Sequence, residues 1–292
     1  MIDLKDLQCL VTLVQQEHFA RAAKKCALSQ PAFSMRIRNL EDQLGARIVK
    51  RGNRYHGLTA EGELVLDHAR AILDRVRTLE EGVRAARGEV VGDLVLGVIP
   101  SAAPFAGRVA SRLHRQYPGI RLRLETATSF AVQQGVDDGQ LDAGFTYVEG
   151  TPADIHQIEA VYDEEYALLV GDALAPEGAT ATWEAAAGLP LVLLNRDMQN
   201  RRILDTIFRE AGVAPTVIAE TAGFSAAMAM VMDGAGATVL PRLFIENLSL
   251  RPGVRILPLV DPEIRKPVAL IVSRRAQALP VIDALRRAVA DQ

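Results

Sequence analysis

Between residues 60 and 87 the chain has no proline, and Val65, Ala69, Ile72, Val76, Leu79, Val83 and Ala86 recur in alternating steps of four and three. That spacing winds one apolar stripe along a single long helix. A helix of roughly 28 residues spans about 40 Å, so the chain is divided into a head before it and a body after it. The length of 292 residues fits the same division, at about 150 residues per domain. The stripe needs a cover, and a second copy of the helix is the simplest one; a helix lying on its own domain is the alternative. Arg87-Gly88-Glu89 ends the helix. The expected organisation is residues 1–58, 59–88 and 89–292.

Charge follows this division. The net charge of −3 gives no hint of nucleic acid, but residues 1–58 hold ten Lys/Arg against five acids. The head is therefore +5 and the remainder −8, a basic module on an acidic body. Within the head, Leu4, Leu7, Leu10, Val11 and Val14 repeat at helical spacing, and Phe19–Cys26 carries a small-residue face of Ala20, Ala22, Ala23 and Cys26. Ser29 is a good N-cap and Pro31 suits a first turn, so a third helix is expected over Gln30–Leu44 with Gly45 as its stop. Phe33, Ile37, Leu40 and Leu44 form its inner stripe. The opposite face presents Gln30, Ser34 and Arg38, with Met35 and Arg36 on the flank. Short polar groups and cations on the first half of a well-anchored helix are what base-edge recognition requires. After Gly45 a short hairpin is expected, with Arg51, Asn53 and Arg54 at its tip, where cations grip phosphates or enter a minor groove.

Residues 89–292 alternate strand and helix signals. Strands fit 93–99, 120–126 and 142–147, then 166–170, 191–195, 217–221 and 237–240, with a last strand over 268–273 and a helix over 281–290 returning to the first set. Ligands of doubly wound sheets sit at the carboxyl ends of strands beside helix N-termini. That rule selects Ser101, Thr128, Ser129, Thr146, Tyr147, Asn195, Gln199, Arg201 and Thr221. Hydroxyls, backbone N–H groups and the nearby Arg196, Arg201 and Arg202 suit a small anion.

Several blocks also resemble, in order and spacing, the signature of LysR-type transcriptional regulators. They are Phe19-Ala20-Arg21-Ala22-Ala23, Leu28-Ser29-Gln30-Pro31-Ala32-Phe33-Ser34, Ile37-Arg38-Asn39-Leu40-Glu41-Asp42-Gln43-Leu44-Gly45 and Leu58-Thr59-Ala60-Glu61-Gly62. Two positions depart from the pattern: Met35 stands where the family often has Arg, and Ile48-Val49 where it often has Leu-Phe. The resemblance implies an α/β protein with a mostly α N-terminal winged helix-turn-helix, a linker helix, and a two-lobed sensor domain like a periplasmic binding protein. The lobes would be about 89–161 with 268–292, and about 162–267. It implies a DNA-binding set of Ser29, Gln30, Pro31, Ser34, Met35, Arg36, Arg38, Arg51 and Arg54. Double-stranded DNA with an interrupted dyad is the implied partner, and the implied oligomer is a homodimer through the linker helix or a homotetramer. The block Asn195–Arg202 also resembles a subgroup found beside formate dehydrogenase genes, which makes formate a candidate among small carboxylate effectors.

The chain has no P-loop, no GxGxxG after a strand, no GxSxG and no HExxH, so no enzyme, cofactor or metal is expected. The acidic pairs Asp137-Asp138 and Glu164-Glu165 read as solvated surface. Cys9 and Cys26 have no metal-ligand spacing and read as buried thiols in a reducing compartment. Neither a secretory leader nor an apolar run of about 18 residues is visible, so a cytoplasmic location without a membrane is expected. The rival from another class is a solute-binding protein or small-molecule enzyme with an accessory N-terminal domain.

Overall fold

A computed structural model describes residues 1–50, 55–154, 156–246, 251–274 and 279–291. The head begins with α1 (Leu4–Gln16), α2 (Phe19–Lys25) and α3 (Gln30–Leu44). Ser29 caps α3, its hydroxyl accepting from Ala32 N–H at 3.3 Å, and Gly45 closes it at φ 64°. Leu10, Leu13, Phe33, Leu40 and Ile48 are fully buried, and the Phe19 and Phe33 rings meet edge to face at 6.2 Å. Each buried Leu or Phe side chain contributes about 2 kcal/mol by leaving water. Glu41, on the inner side of α3, ties this core to the hairpin that follows. One carboxylate oxygen accepts from Ile48 and Val49 N–H at 2.9 and 3.2 Å, and the other pairs with Arg47 at 3.2 Å. The hairpin base is formed by the Val49–Leu58 bridge and a Lys50 N–H to Gly57 carbonyl bond.

The linker helix α4 runs Ala60–Ala85, two residues short of expectation, with Thr59 as N-cap. Its stripe divides. Ala69 joins the head's core, where Val65 packs against it and Leu66 lies beside the stripe, whereas Ile72, Leu79 and Val83 stay 43%, 67% and 49% exposed. Its polar side is fastened to the body, where Arg70 pairs with Asp138 at 2.8 Å and Arg77 with Asp142. The helix thus lies on its own body by its charged side and leaves part of its apolar side uncovered.

The body opens with β1 (Gly92–Val98), a single 3-10 turn at Pro100–Ala102, α5 (Ala103–Gln116), β2 (Ile120–Thr126), α6 (Ser129–Asp137), β3 (Ala143–Tyr147) and β4 (His156–Glu164). It continues with β5 (Tyr166–Gly171), β6 (Ala181–Thr182), α7 (Trp183–Ala187), β7 (Pro190–Leu194), α8 (Gln199–Glu210), β8 (Thr216–Thr221) and α9 (Phe224–Met232). The last elements are β9 (Ala237–Pro241), α10 (Arg242–Ile245), β10 (Val254–Val260), β11 (Lys266–Ser273) and α11 (Pro280–Ala290). These strands form two sheets, ordered β2-β1-β3-β11-β4 and β6-β10-β5-β9-β7-β8. The β2-β1-β3 part is parallel, while β11 runs antiparallel between β3 and β4.

The chain passes between the sheets twice, from β4 to β5 and from β10 back to β11. At the first passage Glu165 meets Arg265 and Arg242 at 3.1 and 3.3 Å. Three strands were not expected from sequence: β4, β10 and the two-residue β6, which is too short to show a period. β4 is the edge strand of its sheet and alternates too many polar residues (Gln157, Glu159, Asp163) to read as buried. β10 carries Pro258 in its interior, which weakens any strand reading.

Candidate DNA interface and effector cleft

On the head, Ser29, Gln30, Pro31, Met35 and Arg38 are exposed, and Ser34 is half-buried beside them. They run from the N-cap of α3 to just past its midpoint, opposite the stripe that Phe33, Ile37 and Leu40 bury. Arg36 is placed differently. Its guanidinium turns back to α1 and bonds Asp6 at 2.7 Å and Asp3 at 3.4 Å, and these partners hold its pKa above the usual guanidinium value. It braces α3 on α1 rather than extending outward. Arg51 and Arg54 lie outside the described residues.

In the body, the cleft where the two sheets face each other is lined by Ile99, Pro100, Ser101, Thr128, Ser129, Tyr147, Leu194, Met198, Gln199, Asn200 and Phe224. Five of the selected effector residues therefore meet there: Ser101, Thr128, Ser129, Tyr147 and Gln199. The carboxyl-end rule brings them together because the turn after β1, the first turn of α6, the end of β3 and the first turn of α8 all open on this cleft. The free volume is only about 10 Å³, room for about one water.

The other four selected residues are elsewhere. Thr146 precedes Tyr147 on β3, so strand alternation turns it to the opposite face, where it is fully buried. Asn195 does not line the cleft; its backbone N–H bonds Thr221 O at 2.9 Å. The Thr221 hydroxyl donates to Gly223 O at 3.1 Å, inside the turn before α9. Arg201 is 2% exposed, and its guanidinium is committed to Leu194 O at 2.7 Å, Glu220 at 2.8 Å and Asp205 at 2.8 Å. Arg202 is bonded to Gln199 Oε1, at 2.7 Å for its closer nitrogen, and Arg196 lies near Glu220 at 3.7 Å. None of these three arginines lines the cleft, although they had supplied full charge to the expected anion site.

The strongest polar feature beneath the cleft was misread. Glu164 is not solvated surface: it is 1% exposed, whereas its neighbour Glu165 faces outward. The Tyr147 hydroxyl donates to Glu164 Oε1 at 2.6 Å. That same hydroxyl lies 3.2 Å from Ser101 Oγ and accepts from Asn200 Nδ2 at 3.4 Å. Burial pushes Glu164 up from 4.5 to about 7, against hydrogen bonding led by Tyr147, which favours the ionised form. Tyr147 and Tyr166 are driven well above 10, first by burial and then by the Glu164 charge. Glu164 Oε2, Asn200 Oδ1 and Ser129 Oγ are buried without a hydrogen-bond partner. The adjacent acids in sequence could have warned that one of the two points inward, since neighbours on a strand face opposite ways. Among the described residues no cluster of three metal-ligating side chains occurs, and no helix is long and apolar enough to cross a membrane.

Comparison with known proteins places both halves. Residues 4–63 match the model of bacterial regulatory helix-turn-helix proteins of the lysR family, and residues 87–292 match the LysR substrate binding domain. The chain is 31% identical over 278 residues to the DNA-binding transcriptional dual regulator OxyR of Escherichia coli, covering 92% of this chain and 89% of that protein. It is 29% identical over 281 residues to a hydrogen peroxide-inducible genes activator of Haemophilus influenzae, covering 92% and 90%. Among solved structures, a full-length OxyR variant from Pseudomonas aeruginosa superposes with a TM-score of 0.79 at 25% identity, over 99% of this chain and 98% of that one. CbnR in complex with its target DNA shares the fold at a TM-score of 0.63 and 21% identity, over 99% of each chain. None of these four is named for formate.

Proposed function

The chain belongs to the LysR family of DNA-binding transcriptional regulators, which carry an effector-binding domain and form oligomers, and from that premise we propose how its own residues divide the work. α3 enters a major groove and presents Gln30, Pro31, Ser34, Met35 and Arg38 to base edges, with Ser29 at its entrance. Arg51 and Arg54 of the wing grip the flanking backbone. Pairing through the exposed Ile72, Leu79 and Val83 of α4 joins two chains, and further pairing gives a tetramer on an interrupted dyad. A small effector enters the cleft between the two sheets as the lobes part, since the space between them in this arrangement, about 10 Å³, holds only about one water. By binding one arrangement of the lobes better, it shifts the spacing of the heads in a cytoplasmic regulator.

The observation that carries this reading is the α3 surface. A helix pinned on one side by Phe33, Ile37 and Leu40 leaves a polar, uncommitted first half on the other. The test is duplex binding by the full chain across a salt series. A dyad-bearing promoter should be bound with a steep inverse salt dependence, and Arg38→Ala should reduce discrimination between operator and random duplex by about tenfold, equivalent to roughly 1.4 kcal/mol for one good base contact. Equal loss on both duplexes would make Arg38 a phosphate contact.

The hydrogen peroxide in the relatives' names does not transfer directly. The two cysteines of this chain, Cys9 and Cys26, both lie in the head, and residues 27–292 contain none. A thiol in the effector-binding domain therefore does not serve here. Formate, like any carboxylate, would enter a cleft whose lining includes no cation.

A further inference from the structure

A tyrosine hydroxyl has one proton to give. That of Tyr147 goes to Glu164 Oε1 at 2.6 Å, so its oxygen can only accept from the groups on its cleft side. Asn200 Nδ2 donates to it at 3.4 Å, and the Ser101 hydroxyl, 3.2 Å away, must supply its own proton to bond there. With these donors turned inward, the floor of the cleft offers acceptors: Asn200 Oδ1, which has no partner, and the Ser101 oxygen. The opposite walls offer donors. The N-caps of α8 and α9 are Met198 and Gly223, neither of which caps its helix with a side chain, so the leading N–H groups lack a side-chain cap. The unpartnered Ser129 hydroxyl, 5% exposed, opens α6 beside them. An ionised carboxylate beneath the floor, with no cation in the lining, opposes a second negative charge.

Resting on the reading that the effector occupies this cleft, we propose that Glu164, through Tyr147, sets the hydrogen-bond polarity of the floor. The site then selects a small uncharged effector that has both a donor and an acceptor, an amide or a hydroxy compound, over the corresponding carboxylate. Glu164 acts as a positioning residue in this scheme, because Tyr147, Ser101 and Asn200 stand between it and the cleft. The groups around it are Tyr147 from β3, Tyr162 from β4, Tyr166 from β5 and the neutral Ser101 and Asn200. Lys266 lies opposite it on β11, but the ammonium is engaged by Glu149 at 3.0 Å. Protonating Glu164, or replacing it with glutamine, supplies a donor to the Tyr147 oxygen. The tyrosine proton is then released toward the cleft, and the floor becomes a donor surface.

The test is calorimetry on the full chain with acetamide and acetate as matched probes. At pH 8 acetamide should bind at least tenfold tighter than acetate. In Glu164→Gln, and in the unaltered protein at pH 5.5, that ratio should fall by at least tenfold; the pH arm needs no variant to fold. A ratio near one at pH 8, or one indifferent to both changes, overturns the proposal. Ser101→Phe, which fills the cleft, separates the two claims. If acetate binds as well as acetamide and Ser101→Phe abolishes both, the cleft remains the effector site and only the neutral-effector proposal falls. If Ser101→Phe changes nothing, or neither probe binds, the cleft reading falls and takes the proposal with it.

Discussion

Replacing Glu164 with glutamine keeps the shape of the side chain and removes its charge, so the pH dependence of stability isolates what that charge costs. Burial raises the Glu164 carboxyl from 4.5 to about 7. Between those two values the folded chain holds a proton that the unfolded chain has lost, so stability falls as pH rises. The contribution is fully present below about pH 4.5 and lost by about pH 7. A shift of that size corresponds to about 3 kcal/mol. The stability difference between wild type and Glu164→Gln should therefore drift by about 3 kcal/mol against wild type from about pH 4.5 to 7.5, then level off. Trp183, the chain's only tryptophan, reports the transition. It is 1% exposed, stacks edge-on to Phe208 at 5.5 Å, and donates to Pro262 O at 3.0 Å. Urea titrations followed by its fluorescence at several pH values give the curve. A difference that is flat across that window would refute the burial argument, because the altered hydrogen bond to Tyr147, whose hydroxyl is held well above 10, does not itself titrate there.

Gly62→Ala should unfold the head at lower denaturant, at a cost above about 2 kcal/mol. A Cβ there would overlap the Ile48 carbonyl that the first turn of α4 presses against, and circular dichroism melts of the variant would show it. Arg201→Ala should destabilise the body by about 2 kcal/mol, since its acidic partners are partly exposed and only Leu194 O is left fully buried. It should change the affinity of a cleft ligand less than threefold; a larger loss would return the guanidinium to the binding set. Arg54→Ala should weaken binding to every duplex and flatten the salt slope by about one unit, whereas an unchanged slope would remove it from the phosphate contacts.

The sequence was most legible where local rules act alone. Ser29, Pro31 and Gly45 bracket α3 at the expected residues because capping chemistry depends on a few neighbouring atoms. The carboxyl-end rule led to five residues that line one cleft, Ser101, Thr128, Ser129, Tyr147 and Gln199, because strand-to-helix turns open on the same end of such sheets. It also led to Thr146, Asn195, Arg201 and Thr221, which do not line that cleft, because side-chain direction and prior partners decide what a loop residue can reach. Arg36 shows the same limit in the head: its spacing places it on the flank of α3, but only the packing of α1 shows that Asp6 and Asp3 had already engaged it.

What the sequence by itself determined is the plan: a basic helical head, one long proline-free helix, and an alternating body with the blocks that mark the family. These follow from periodicity, caps and charge, which are written in short windows of residues. Tertiary structure alone decided how the polarity of the cleft is arranged. Glu164 lies 17 residues from Tyr147, 36 from Asn200 and 63 from Ser101 along the chain, and no local rule joins them. They meet because two sheets close on each other where the chain crosses from β4 to β5. That closure strips water from a carboxylate whose sequence neighbour, Glu165, keeps its own.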